Sequence, residues 1–417
     1  MLVPTASPKI DAESREPARR RIRVLMLVEN EPVPLDRRAW MECRSLVRAG
    51  YAVSVICPQG ETRDREPHVK LDGVDIYRYP PRMSRGGASG YLVEYASALL
   101  HMRRLARRLS ASAPFDVVHL SNPPDVLFLA VLSLRRRGSR IVFDHHDLVP
   151  ELYSTRFGRR RGVLHRLARL CERASVRIAD VVVSPNESYR RIAVERDRKT
   201  IEDTFVVRNA PEDTGRFSPG PPRIALKRGK RFLIAYLGVI GPQDGVDHAL
   251  RAFALLAERR NDWHTIVAGA GDALDASKQL AANLGLLDRV EFPGFIGDDE
   301  IVRLLRTADV CLSPEPKDDL NDLSTLVKVA EYMAFGKPVV AYDLPESRFT
   351  AQGGALYASS NEPASLASCI ERLLDDGTLR ARVGEEGRRR VVGELAWELQ
   401  EPQLLAAYAR ALAKSSR

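Results

Sequence analysis

The feature that most constrains this chain is a rhythm in which short, almost wholly apolar runs rich in β-branched residues alternate with longer stretches of helical period. The runs fall at 23–28, 52–56, 117–120, 141–143 and 181–183, and again at 231–236, 263–267, 290–292, 310–312 and 339–341. A strand that is apolar at nearly every position buries both faces, and strands separated by helices pair in parallel. The pattern therefore predicts βαβ units with helices on both sides of each sheet. Between the two sets lies PEDTGRFSPGPP, residues 211–222, whose proline and glycine density continues neither a helix nor a strand. The expected architecture is α/β: two doubly wound domains at 22–210 and 231–396, a linker at 211–230, a disordered tail at 1–21 and a final helix at 397–417. In such sheets ligands bind beyond the carboxyl ends of the strands, where His146, Gly238, Phe295 and Ser324 fall. A cleft between the two sets of strand ends is the expected site.

The segment NDLSTLVKVAEYMAFGKPVVAYDLPE, from Asn321 to Glu346, reads as a polar turn, an amphipathic helix and a buried strand. Ser324 and Thr325 stand where side-chain caps belong, and Gly336 with Pro338 ends the period, so a helix is expected at roughly 325–335. Leu326, Val329, Ala330 and Met333 share one face, while Ser324, Lys328 and Glu331 share another. A helix N-terminus attracts phosphate, Lys328 adds a charge one turn on, and Glu331 stands roughly 10 Å along the axis from the cap. That spacing suits a diphosphate at one end and a ribose diol at the other. An ordinary crossover helix with Lys328 and Glu331 as a surface pair fits the same spacing.

The string EYMAFGKPVVA, Glu331 to Ala341, closely resembles a segment of retaining family-4 glycosyltransferases of GT-B fold, which pair two Rossmann-like domains across a central cleft. Similar pieces recur in the same order: FDHHDLVPE at 143–151, YLG at 236–238, GVDHALRAF at 245–253, VAGAG at 267–271, VEFPGF at 290–295 and ADV at 308–310. No one piece is specific, but the ordered set is. The resemblance covers roughly residues 22–395. It implies a hexosyltransferase of polysaccharide biosynthesis that takes a nucleoside-diphosphate sugar as donor and a hydroxyl acceptor, lipid-linked glycan or small molecule. It implies that Glu331 holds the donor ribose and His146 the transferred sugar, and that the last helix crosses back to the first domain. The chain departs from the family at three positions. Leu323 stands where the family has an acid eight residues before Glu331, and Val239 and Asp244 stand where it has two phosphate-binding cations. Lys328 and Arg208 are the candidates for replacement charge, with Lys328 better placed. The same departures leave room for a non-catalytic partner subunit, and the fold for a sugar-nucleotide epimerase.

The adjacent His145 and His146, with Asp144 and Asp147, could suggest a metal, yet neighbouring side chains on an extended strand diverge, so no metal or other cofactor is expected. The two glycines of Gly269 to Gly271 are weak evidence for a phosphate role, since any strand-to-helix turn favours glycine.

The 417 residues, 44% apolar and 29% charged, suit large buried cores. Five cysteines without metal or CxxC spacing read as reduced thiols of a cytoplasmic protein. The first residues lack the apolar core of a signal, and no run reaches about 18 apolar residues, so neither secretion nor membrane spanning is expected. The net charge of +9 is uneven: 151–200 carries thirteen Lys/Arg against six Asp/Glu. Two Arg-bearing helical runs, around Leu99 to Leu109 and 159–178, are expected to bury their leucine faces and solvate their arginines, or else to dock the protein peripherally on anionic lipid at the inner membrane face. Nucleic acid is disfavoured, because the basic runs lack interleaved aromatics. Oligomeric state is not legible.

Overall fold

A computed structural model describes residues 20–60, 64–82, 87–157, 162–211 and 217–414. The tail at 1–19 and the middle of the linker, 212–216, lie outside the described residues. The apolar runs become strands of two sheets. The first contains β1 (Arg23–Val28), β2 (Ala52–Pro58), β3 (His68–Leu71), β4 (Val74–Tyr79), β5 (Val117–Ser121), β6 (Arg140–Asp144), β7 (Val181–Ser184) and β8 (Thr204–Val206). The second contains β9 (Phe232–Leu237), β10 (Trp263–Ala268), β11 (Val290–Gly294), β12 (Val310–Ser313), β13 (Val339–Tyr342) and β14 (Ala355–Ala358). Strand order is β3-β4-β2-β1-β5-β6-β7-β8 in one and β11-β10-β9-β12-β13-β14 in the other. Every pairing is parallel except β3 with β4. That hairpin went unread in the sequence, although its turn, Asp72 and Gly73, both at positive φ, is a strong short-range hairpin signal.

Burial follows the two-residue period of a strand. Val24, Met26 and Val28 enter one core, while Leu25 and Leu27 enter the core on the opposite face. The second sheet divides likewise, with Ile234 and Tyr236 on one side and Leu233 and Ala235 on the other. The last helix, Trp397–Ala413, lies not on the second domain but in the first domain's core, where Trp397, Leu404 and Tyr408 pack with Val117, Val142 and Val183. The Trp397 indole donates to Ser45 Oγ at 2.8 Å, and Tyr408 Oη meets His119 Nδ1 at 2.8 Å.

One expected burial pattern is reversed. The Gly87–Ser112 helix buries Ala98, Met102 and Ala106 and leaves Arg103, Arg104, Arg107 and Arg108 in solvent, as an amphipathic helix should. In the Val163–Ile178 helix the buried side carries Glu172, Ser175 and Val176, whereas Val163, Leu164, Leu167 and Leu170 are 80, 40, 48 and 63% exposed. The cause is polar anchoring from below. Glu172 accepts ion pairs from His145 and Arg196, and Ser175 Oγ donates to the Asp125 carbonyl at 2.7 Å.

The domains touch along a seam at their strand ends. Asn186 Nδ2 donates to the Leu323 carbonyl at 2.8 Å and to Thr325 Oγ1 at 2.9 Å, and Tyr189 Oη lies 3.1 Å from Ser324 Oγ. Ser188 Oγ donates to Glu346 at 2.6 Å, and Leu148, Tyr189 and Leu320 form a small apolar cluster there.

Candidate functional site

The helix that carries Lys328 and Glu331 spans Val327–Ala334, two residues later than the caps predicted. Leu326 is the N-cap residue and supplies no side-chain bond. Ser324 and Thr325 are drawn elsewhere: Ser324 Oγ donates to the Leu320 carbonyl at 2.8 Å, and Thr325 accepts from Asn186 across the seam. These two hydroxyls therefore tie the domains together rather than cap the helix.

On this helix the two charged residues meet different surroundings. Lys328 Nζ lies 2.5 Å from Glu315 Oε1 and donates to Tyr236 Oη at 3.0 Å, with the Tyr236 ring 4.3 Å away. Burial disfavours the ammonium, but Glu315 outweighs burial and holds its pKa well above the usual lysine range. Gly238 lies over this cluster: at φ 149° its backbone leaves room in which a Cβ would come within 2.9 Å of Lys328 Nζ. Gly269 and Gly271 serve backbone proximity, since a Cβ at Gly269 would stand 1.7 Å from the Gly238 carbonyl oxygen and one at Gly271 2.5 Å from that of Ile240. Of the two residues that stand where the resemblance would put phosphate-binding cations, Val239 is exposed, and Asp244 accepts from the Gly241 amide at 2.9 Å.

Glu331, one turn further, faces the other domain. Arg37 Nη1 donates to its Oε1 at 2.7 Å, and Arg37 Nη2 donates to Asp298 at 2.8 Å. Opposite stands His146, on the turn after β6. Its Nδ1 is 3.1 Å from Asp144 Oδ2, and its amide donates to Asn122 Oδ1 at 2.9 Å. Asp144 is buried and is gripped by both Nε and Nη2 of Arg38 at 2.7 Å. Burial would raise the Asp144 pKa, but Arg38 and His146 hold it far below the carboxylate range. Burial would likewise lower that of His146, but Asp144 pushes it up to about 9, so at neutral pH the ring is an imidazolium. His145 turns the other way, into the core beneath Glu172.

The structure thus brings His146 and Glu331 to one cavity of about 410 Å³, also lined by Arg37, Arg38, Asn209 and Val327. Lys328 and Gly238 form a neighbouring cluster, and Ser324 and Thr325 lie in the seam. Arg208 lies elsewhere in the seam, its guanidinium 3.8 Å from the Phe349 ring centroid and 3.6 Å from Glu346. Phe295 is 74% exposed at the end of β11. Sequence reasoning passed over Arg37, Arg38 and Glu315. Two cations in the first turn of the Arg37–Arg48 helix oppose its dipole, and an acid between Pro314 and Pro316 is held rigidly after a buried strand, so each had a readable signal.

Among the described residues one cluster has metal-like spacing, Glu42 with His119 and Asp144. All three are buried and Arg38 already supplies the positive charge, while burial pushes Glu42 up to about 8 and His119 down to about 4.

Two parallel α/β domains that oppose their strand ends across a cavity define the GT-B class. Residues 35–210 match the family described as glycosyl transferase 4-like domain, and residues 222–390 match glycosyl transferases group 1. The chain belongs to the family-4-like glycosyltransferases of GT-B fold. It is 26% identical over 398 residues to MMP alpha-(1->4)-mannosyltransferase of Mycolicibacterium hassiacum, covering 89% of this chain and 93% of that protein. With 2-deoxystreptamine glucosyltransferase of Streptomyces kanamyceticus it shares 30% over 184 residues, 44% of this chain and 46% of that one. Among solved structures, sucrose-phosphate synthase from Thermosynechococcus elongatus superposes with TM-score 0.75 at 18% identity, over 95% of this chain and 100% of that one. Anabaena HepE in complex with UDP-glucose gives 0.69 at 17%, over 93% and 99%.

Proposed function

We propose that this glycosyltransferase moves a hexose-type sugar from a nucleoside diphosphate to a hydroxyl acceptor with retention of anomeric configuration, without a metal or other cofactor. The observation that carries the reading is the convergence of His146 and Glu331, from opposite domains, on one cavity at the strand ends. Glu331 takes the ribose hydroxyls in place of Arg37, and the first turn at Val327 and Lys328 receives the diphosphate. The anomeric C–O bond breaks with its electron pair leaving on the diphosphate. The acceptor oxygen then bonds the anomeric carbon on the same face, and its proton passes to the departing phosphate oxygen. His146, charged and fixed by Asp144, hydrogen-bonds the sugar beside that carbon, while the helix terminus and Lys328 stabilise the leaving charge. That HepE is solved with UDP-glucose supports a nucleotide-sugar donor.

The test is to incubate the full chain with a panel of nucleoside-diphosphate sugars and a pool of lipid-linked and small-molecule acceptors, and to read the products by mass spectrometry and anomeric NMR. An α-linked product from an α-donor supports the reading. Isomerised donor without acceptor would make the protein an epimerase, and neither binding nor transfer with any donor would make it a non-catalytic subunit.

A further inference from the structure

We propose that the exposed face of the Val163–Ile178 helix is a docking surface for an anionic bilayer. At 100° per residue, Val163, Leu164, Leu167 and Leu170 fall within an arc of about 120°, and Arg166, Arg173 and Arg177 line one border of it. Glu172, the one acid on the helix, is fully buried on the opposite side. The apolar arc is therefore bordered by positive charge with no exposed carboxylate on the same helix. Among the described residues, neither Arg166 nor Arg177 has an ionic partner, and both are exposed.

This surface is not the by-product of a poorly formed helix. The Gly87–Ser112 helix, with a similar arginine-rich sequence, turns its apolar side inward, whereas here Glu172 and Ser175 hold the polar side down and keep the leucines out. Four neighbouring large apolar side chains on one face mark an interaction site. The arginines decide which kind. Two copies of this chain packed antiparallel through the face would bring their arginine rows together and in neither orientation would supply an acid to them from this helix, whereas a leaflet of acidic headgroups satisfies both the apolar arc and its basic border.

The opposite side of the same helix meets the second domain. The base of the helix contributes His165 and Arg169 to a pocket of about 410 Å³ closed by Asp318 and Asp319 of the second domain. Through Glu172 the helix is ion-paired to His145, next in sequence to His146. The inference is about binding and does not depend on which sugar is moved.

The experiment is co-sedimentation of the full chain with phosphatidylcholine vesicles and with vesicles carrying about 30% phosphatidylglycerol. The expected result is partition onto the anionic vesicles alone, abolished by about 0.5 M salt. Leu167→Gln/Leu170→Gln and Arg166→Glu/Arg177→Glu should each weaken partition by about tenfold or more, with unchanged thermal melts because all four side chains are exposed. Equal binding to neutral and anionic vesicles, binding by both variants like the parent, or a lipid-free dimer that Leu167→Gln/Leu170→Gln dissociates would each overturn the proposal.

Discussion

At the scale of single residues, the Asp144 contact gives His146 both its position and its charge. A His pKa raised from 6.5 to about 9 by folding contributes stability that is fully present below pH 6.5 and is lost as pH rises through about 9. Transfer should fall over the same upper range, and a pH–rate profile of parent against Asp144→Asn would show it: the variant should lose the limb near 9. His146→Ala should lower kcat by about a hundredfold while the donor KM moves by less than about threefold, because a group beside the reacting carbon gains interaction mainly in the transition state. Lys328 is different, since it is already paired. Lys328→Ala strands a buried carboxylate at Glu315 and should cost about 3–5 kcal/mol of stability as well as donor affinity. The double variant Lys328→Met/Glu315→Gln should recover the melting temperature but not nucleoside-diphosphate binding measured by calorimetry. If binding also recovers, Lys328 holds Glu315 and not phosphate. That Glu331 and His146 come to one cavity could be expected from the sequence because each sits in a recurring motif, one on a helix and one just after a strand. For Arg37 and Glu315 only a local oddity was legible, the unfavourable first-turn cation and the proline-flanked acid; their partners, 294 and 13 residues away, leave no period in the sequence.

Elements show where sequence periodicity suffices and where it fails. The strands were legible because burial on both faces demands apolar residues at every position, as in β1 and β10. The Val163–Ile178 helix was legible as a helix, but its orientation was decided by Glu172 meeting His145 and Arg196, a tertiary contact that periodicity cannot carry. Ser324 and Thr325 failed as caps for a like reason, since Tyr189 and Asn186 of the other domain compete for them, one for each hydroxyl. The two glycine turns of the second sheet make a sharper prediction. Gly269→Ala requires a left-handed backbone and forces a Cβ against the Gly238 carbonyl, so it should destabilise by about 2–4 kcal/mol in a denaturant titration and disturb the loop over Lys328.

For the whole molecule, the seam is polar and small in its apolar part, so the domains are free to change their separation when ligand arrives. Small-angle scattering should show compaction on saturation with nucleoside diphosphate, and an identical envelope would count against closure. The Arg37 bridge to Glu331 and Asp298 spans the cleft, so Arg37→Ala should broaden the scattering profile measured without nucleotide. The return of the Trp397–Ala413 helix to the first domain also sets an order of assembly during synthesis. The sheet face under Val117, Val142 and Val183 is complete once β8 has left the ribosome, yet Trp397, Leu404 and Tyr408, which cover it, come about 200 residues later. At about 5–20 residues per second that face stays open for on the order of 10–40 s, while the second domain, continuous in sequence, can close its own core first. The domain made first is therefore the one finished last.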